Sequence, residues 1–327
     1  MAEVGTTCLG DLNKALALVA AAKSAGMDAV KFQLVDANQD TREHATYKLV
    51  VDGRETTANM RQMFSALAFE KSEWKQIAEA CRDADIEFLA TCDYCDGIDV
   101  LEEIGIAAHK IGAWDTTYRH LIKHIGKTGK PMIVDLGPTT QDELDELCAW
   151  HLDAGGSVVV PLHDYHTDVA GEMNMRAISH LLATMPGPVG YSSPNQDSDM
   201  DFLAVALGAH IIEKRLILDR RETAFHAHES MEPDELMDWA RRIRSAEAAL
   251  GQQAIIPSQR DLAGAAQYYR SVATLRDIAK GEVLSAEIID GKRPGTGIPT
   301  KRIDEMLGRR ASRDIPANTL LETSDLE

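Results

Sequence analysis

Short apolar runs alternate along this chain with longer amphipathic segments. The apolar runs have the character of strands buried on both faces, and the segments between them repeat apolar positions at the helical period. The pattern predicts strands near residues 2–5, 28–33, 86–91, 107–112, 131–136, 157–163, 188–192 and 210–214. It predicts helices near residues 11–25, 71–83, 96–104, 117–127, 140–152, 174–184, 198–207 and 232–249.

Eight strands, each followed by a helix, is the number that closes a parallel (β/α)8 barrel, the TIM barrel. The helix boundaries carry the expected signals. Thr140 begins a polar run, and Glu232 precedes a proline at the first helical position. Gly126 and Gly251 stand just past helix ends. An α/β barrel is therefore the predicted fold.

Two segments fall outside the eight repeats. The connection at 34–70 is long for a compact barrel, and connections of that length are typically binding loops or lids. The pattern breaks after Gly251, and residues 270–327 contain short β-prone runs separated by turns. We therefore predict a barrel at 1–255, a linker at 256–269 and a small β-rich domain at 270–327.

Composition restricts the class of protein. The formal charge is −18 at pH 7, which argues against nucleic acid or an anionic membrane as the main partner. The five scattered cysteines favour a reducing cytoplasm over a disulfide framework. No signal-peptide pattern and no long apolar run is visible, so we expect a cytoplasmic protein without a membrane span.

The second predicted strand carries a cation and an amide, Lys31 and Gln33, near its carboxyl end. In parallel barrels that end of each strand faces the active site. The same strand belongs to a series of motifs, in order along the chain, through which the protein resembles the N-acetylneuraminate (sialic acid) synthase family. These motifs are AEVG at 2–5, AVKFQ at 29–33, EFLAT at 87–91, HKIG at 109–112, KTGKP at 127–131, VGYS at 189–192, IEK at 212–214, SMEPDEL at 230–236 and KRPGTG at 292–297.

The resemblance covers nearly the whole chain and implies a barrel followed by an antifreeze-like (SAF) domain. Members of that family condense phosphoenolpyruvate with an N-acylated amino sugar and use a divalent metal to polarise the sugar aldehyde. They are typically dimers in which the SAF domain of one subunit covers the active site of the other. The resemblance therefore implies small-molecule substrates and a domain-swapped homodimer.

Residue by residue, the resemblance implies a donor site and an acceptor site. An anionic donor needs cations and hydroxyl donors, and Lys31, Lys110, Thr91 and Ser192 supply them. Glu3 and Glu213, at the ends of strands that adjoin in a closed barrel, suit the positioning of water or sugar hydroxyls. The remaining acceptor contacts implied are Gln33, Asp115, His226 and Arg293, the last reaching the sugar of the partner subunit.

The chain departs from the family where the metal would bind. Both family histidines that hold it are replaced, by Pro194 and Arg215. Neither residue type binds a hard divalent cation. The strand-5 contact to the phosphate is replaced by Asp135, a carboxylate that should repel a phosphate, and a serine beside Lys110 is replaced by Ala113.

Three interpretations follow, and the metal stays an open question at this point. Arg215 can polarise a carbonyl as a permanent cation, which makes metal-independent condensation conceivable. Alternatively, His163, His166, His226 and His228 rebuild a metal site. In the third, the protein has lost the synthase reaction and acts as a lyase or aldolase, or as a non-catalytic or regulatory protein that binds carbohydrate.

Cysteine chemistry is a weaker hypothesis. Cys92 and Cys95 form a single Cys-x-x-Cys without a second pair, and Cys8 has no assignable base.

Overall fold

The computed structural model describes residues 1–51, 54–167, 169–193, 196–222 and 224–327, without the side chains of 47–56. The chain consists of two compact units, unit 1 (Met1–Gly251) and unit 2 (Gln252–Glu327). Within the described residues, no helix combines the length and the apolar character needed to cross a membrane.

Unit 1 is built on a closed barrel of parallel strands, in the spatial order β1-β10-β9-β8-β7-β6-β5-β2. The barrel strands are β1 (Ala2–Glu3), β2 (Ala29–Leu34), β5 (Glu87–Cys92), β6 (His109–Ile111), β7 (Met132–Asp135), β8 (Val159–His163), β9 (Gly190–Ser192) and β10 (Ile211–Arg215). A separate antiparallel hairpin consists of β3 (Thr46–Val51) and β4 (Arg54–Asn59). The predicted (β/α)8 fold is confirmed.

Helices follow the barrel strands and pack their apolar faces on the outside of the barrel. In unit 1 they are α1 (Leu12–Ser24), α2 (Ala37–Asp40), α3 (Met60–Leu67), α4 (Lys71–Asp83), α5 (Cys95–Ile104), α6 (Arg119–Gly126), α7 (Gln141–Asp153), α8 (Ala177–Thr184), α9 (Asp199–Ala206) and α10 (Pro233–Leu250). Capping boxes at Thr140 and Glu232 begin α7 and α10, as the sequence predicted.

The connection between β2 and α4 differs from expectation, because it contains elements of its own. Helix α2, the hairpin β3–β4 and helix α3 fill the segment predicted as a long loop. The Asp-Gly pair at 52–53 is a strong hairpin signal in sequence, although it lies outside the described residues. The sequence marked this connection as a binding loop or lid by its length, but did not mark the elements within it.

Unit 2 has its own small apolar core. Helix α11 (Gln259–Tyr268) occupies most of the segment predicted as a linker. Strands β11 (Ser271–Thr274) and β12 (Ile289–Lys292) pair antiparallel, and isolated bridges add residues 283 and 320. The core side chains are Val272, Ile278, Leu284, Ile288, Ile289, Ile298, Met306, Ala311, Ile315, Leu321 and Leu326. This arrangement matches the predicted β-rich domain with little regular strand.

Candidate active site

A cavity of about 990 Å³ opens at the carboxyl ends of the barrel strands. Parallel strands in register bring their ends to one edge, so Glu3 lies opposite both Lys31 and Arg215, and Gln33 lies opposite Thr91. Nine of the residues predicted for the site line this cavity: Glu3, Lys31, Gln33, Thr91, Asp115, Ser192, Glu213, Arg215 and His226.

Lys31 is buried among three oxygen-bearing side chains. Its Nζ lies 2.5 Å from Glu3 Oε2 and 3.5 Å from Glu213 Oε1. It also donates a hydrogen bond of 3.1 Å to Thr91 Oγ1. Its charge is therefore balanced within the protein, and its position at the floor of the cavity is held from three sides.

Lys110 is buried beside Lys31 and is paired in the same way. Its Nζ contacts Asp135 Oδ2 and lies 3.1 Å from Glu213 Oε2. Burial disfavours the lysine's charge, but the attraction of Asp135 and Glu213 outweighs it and raises the pKa of Lys110. The residue that the sequence marked as unfavourable for a phosphate thus lies directly on a lysine predicted to hold the donor.

The carboxylates of this cluster differ in how readily they ionise. Burial alone would raise the pKa of Glu213, but the charges of Lys110 and Lys31 outweigh burial and lower that pKa to about 2. Burial, with Asp164 and Glu213 nearby, raises the pKa of Asp135 to about 7 despite Lys110. Asp135 Oδ1 is buried without a hydrogen-bond partner among the described residues. Burial also raises the pKa of Asp164, to about 6. Asp135 and Asp164 therefore take up a proton more readily than Glu213.

Glu3 is the second carboxylate on Lys31 and is oriented by two donors. Gln33 Nε2 and the backbone N–H of Gly5 each donate to Glu3 Oε1 at 3.1 Å. Its other oxygen faces Lys31, so the carboxylate is fixed in one orientation. Such a group can hold a water molecule or a hydroxyl at a defined point of the cavity.

Arg215 ends β10 and also lines the cavity. Its Nε lies 3.6 Å from Glu229 Oε2, an oxygen that also contacts His226 Nδ1 at 2.7 Å. Its Nη1 is buried without a hydrogen-bond partner among the described residues. A guanidinium with one free edge is suited to polarise a substrate oxygen.

The described residues do not fit the divalent metal that the resemblance implies. Among them no group of three or more His, Cys, Asp or Glu side chains is placed to hold a metal ion. His163 contacts the carbonyl oxygen of Met173 at 2.7 Å through Nε2, and His226 pairs with Glu229. The site rebuilt from histidines is thus not formed by these residues, and Pro194 lies outside the described residues.

The cysteines do not form a reactive centre in this site. Burial raises the pKa of Cys8 to about 12 and also raises the pKa of Cys92. The Sγ of each contacts a nearby carbonyl oxygen, of Gly5 and of Tyr94 respectively, at 3.4 Å. Buried thiols of this kind are inert, which argues against the redox and nucleophile hypotheses.

Arg293 belongs to unit 2, where its side chain is exposed and its Nε donates to the carbonyl oxygen of Tyr268 at 2.8 Å. Arg293 is not among the residues that line the cavity of unit 1.

Several cavity residues escaped the sequence analysis: Asp93, Trp114, Asp164, Glu229 and the apolar side chains Met60, Met63 and Phe64 of α3. Asp93, Trp114 and Asp164 follow barrel strands within a few residues, which is the signal that could have found them. The α3 residues carried no such signal, because no barrel strand ends near them.

Comparison with known proteins decides the family. The model of the NeuB family matches residues 18–254, and the model of the SAF domain matches residues 269–327. The chain belongs to the NeuB family.

Named relatives of this NeuB-family chain are synthases of acidic sugars. The N,N'-diacetyllegionaminic acid synthase of Legionella pneumophila is 30% identical over 100% of this chain and 94% of that protein. The pseudaminic acid synthase of Campylobacter jejuni is 29% identical, over 99% and 95% of the two chains. The crystal structure of an N-acetylneuraminic acid synthetase from Leptospira borgpetersenii, in complex with citrate, has a TM-score of 0.70 at 25% identity and covers 80% of this chain and 88% of that one.

Proposed function

We propose that this protein forms a carbon–carbon bond between phosphoenolpyruvate, or a related enol pyruvate donor, and a sugar-like aldehyde, in the biosynthesis of nonulosonic acids. The observation that carries the proposal is the pair of buried lysines, Lys31 and Lys110, at the mouth of a NeuB-family barrel. The names of the relatives support the product class.

In the proposed reaction the donor lies on the lysines and the acceptor lies above it. Lys31, Lys110, Thr91 and Ser192 hold the donor's anionic groups. The donor's methylene carbon attacks the aldehyde carbon, whose oxygen takes up a proton. Water held by Glu3 adds to the donor's second carbon, and inorganic phosphate leaves. Gln33, Asp115, Glu213, His226 and the partner subunit's copy of Arg293 would contact the acceptor.

In this scheme Arg215 polarises the aldehyde oxygen, and no metal takes part in the step. Two observations support this role: Arg215 lines the cavity, and its Nη1 has no hydrogen-bond partner among the described residues. Turnover should then survive exhaustive chelation. Activity that returns strictly with Mn²⁺ or Mg²⁺ would reject the role of Arg215 while leaving the reaction in place.

A second candidate function is a non-catalytic carbohydrate-binding homologue, favoured by the ion pair between Asp135 and Lys110, which occupies a cation needed for phosphate. Thermal unfolding separates the two. A ligand at 100 times its dissociation constant adds about 2.7 kcal/mol of stability. Stabilisation by sub-millimolar phosphoenolpyruvate and release of phosphate with an N-acylated amino sugar support the synthase; stabilisation by a sugar alone supports the binding protein.

The proposal includes a cytoplasmic homodimer in which the SAF domain of one subunit completes the other's site. Mixing two inactive variants, Lys110→Met and Arg293→Ala, tests it. Subunit exchange should restore part of the activity, since one of the mixed sites would then be intact. A monomer by light scattering, or no recovery after exchange, would exclude the shared site.

A further inference from the structure

The rim of the cavity carries an exposed aromatic pair that the proposed reaction does not yet use. Trp114 follows β6 and is 73% exposed. Its ring lies against His166, with the centroids 5.0 Å apart and the planes 25° from parallel. Both residues line the cavity. Trp114 is therefore a large, exposed aromatic side chain at a cavity with many polar lining groups.

The position of His166 is fixed by the chain around it. Gly137 has φ of +41°, and a Cβ there would lie 2.5 Å from the Cβ of Ala113 and 3.3 Å from Cε1 of His166. The absence of a side chain at 137 therefore makes room for the imidazole. On its other edge, His166 Nε2 lies 3.6 Å from Asp164 Oδ2. The imidazole of His166 thus has Gly137 and Asp164 as neighbours in addition to Trp114.

The lining of the cavity includes a buried charged group and several more exposed apolar side chains. The charged group consists of Lys31 and its carboxylates, whereas Met60, Met63 and Phe64 of α3 line the same cavity as Trp114. Asp115, the next residue after Trp114, adds a carboxyl group to the same lining. A ligand that fits here presents a flat apolar face and a polar edge.

We propose that Trp114, stacked on His166, is the platform on which the ring of the sugar-like acceptor lies. A pyranose presents C–H groups on its face and hydroxyl or amide groups at its edge, which matches the apolar ring of Trp114 beside the carboxyl group of Asp115. The inference rests on the proposed function for the identity of the ligand. It assigns acceptor recognition to the rim and leaves the donor to the lysines.

The experiment compares Trp114→Ala and Trp114→Phe with the matched control Trp150→Phe. Trp150 lies on α7, carries the guanidinium of Arg119 at 5.7 Å and does not line the cavity. Trp114→Ala should raise the KM for the acceptor about tenfold, with the KM for the donor and kcat at saturating acceptor unchanged. Trp114→Phe should stay within about threefold of the wild type, because a ring is kept, and Trp150→Phe should change nothing.

A binding measurement keeps this inference separate from the reaction. N-acetylmannosamine and other free N-acylated amino sugars are titrated while tryptophan fluorescence is followed in the wild type and in Trp114→Phe. A sugar-dependent change that disappears in Trp114→Phe supports the platform even if no turnover is found, in which case only the proposed reaction fails. Turnover with an unchanged acceptor KM in Trp114→Ala overturns the platform. A change in oligomeric mass alone also overturns it and assigns Trp114 to a contact between subunits.

Discussion

Lys110 and Lys214 are both buried lysines of the barrel, and they lie in different environments. Lys110 sits at the cavity with Asp135 and Glu213. Lys214 is enclosed behind the barrel wall, where its Nζ donates to Ser193 Oγ at 2.9 Å and to Asp201 Oδ2 at 2.8 Å. Trp239 donates to the same Asp201 oxygen at 2.8 Å. Both lysines are buried, but the carboxylate partners of Lys110 line the cavity, whereas the carboxylate partner of Lys214 lies on a helix outside the barrel.

The alternation of side chains along a β-strand explains why the two lysines lie in different environments. Glu213 and Lys214 are consecutive in β10, so their side chains point to opposite faces of the barrel wall. Glu213 lines the cavity, and Lys214 meets helices α9 and α10 through Asp201 and Trp239. Burial lowers the pKa of Lys214, against the pull of Asp201. We therefore expect Lys214 to support the fold and Lys110 to serve the proposed reaction.

Removal of Lys214 should have the largest effect on stability. Lys214→Met leaves Asp201 buried and uncompensated, which costs about 3–5 kcal/mol of unfolding free energy. Lys110→Met should cost clearly less, because its partners line a cavity that admits water and a proton. Urea unfolding followed by circular dichroism measures both variants. Equal losses would contradict the distinction between the two faces.

Removal of Lys110 should instead abolish turnover. Lys110→Met deletes a cation from the donor site, so kcat/KM should fall at least about 100-fold, or about 2.7 kcal/mol of transition-state stabilisation. The matched control is Lys130→Met, whose lysine pairs with Glu102 at 2.8 Å away from the cavity. Phosphate release measures both. Comparable losses in the two variants would remove Lys110 from the site.

The pH dependence of donor binding tests the role of Asp135. Its pKa is raised to about 7, so the carboxyl is neutral below that pH and leaves Lys110 to the anionic donor. Above about pH 7 it ionises and competes for the lysine. The donor KM should therefore rise roughly tenfold between pH 6 and pH 8 in the wild type, as expected for a group bound only in its protonated state. Asp135→Asn should be flat over this range and resemble the wild type at pH 6; a slope that persists in the variant assigns the titration elsewhere.

The smallest effect is expected at Thr91. Thr91→Val keeps the shape of the side chain but removes the 3.1 Å hydrogen bond from Lys31. One such bond is worth about 0.5–1.5 kcal/mol, so the donor KM should rise about two- to tenfold with little change in the melting temperature. A loss as large as that of Lys110→Met would contradict the minor role expected for the Thr91 hydroxyl beside the two lysines.

The sequence predicted the barrel and most of the cavity for a physical reason. A strand that ends in a cation or an acid after an apolar run, such as Lys31 or Glu213, must place that group at the carboxyl edge. Contacts between residues of different strands could not be predicted in this way. Asp135 was recognised as unfavourable for a phosphate, but its pairing with Lys110 depends on the register of β6 and β7. Trp114 was missed because a lone tryptophan in a loop has no period and no charge to mark it.

The shortest strand of the barrel joins the two ends of unit 1. Strand β1 has two residues, and its register sets Ala2 against Lys214 and Glu3 against Arg215, partners more than 200 positions away in the chain. Pairings between such remote segments form slowly, because the intervening chain must first be organised. Until that seam closes, Glu3 can pair with Lys31 on the neighbouring strand β2 but cannot lie beside Arg215. Recovery of catalysis during renaturation would therefore report completion of the cylinder, and a partly assembled barrel would be catalytically silent.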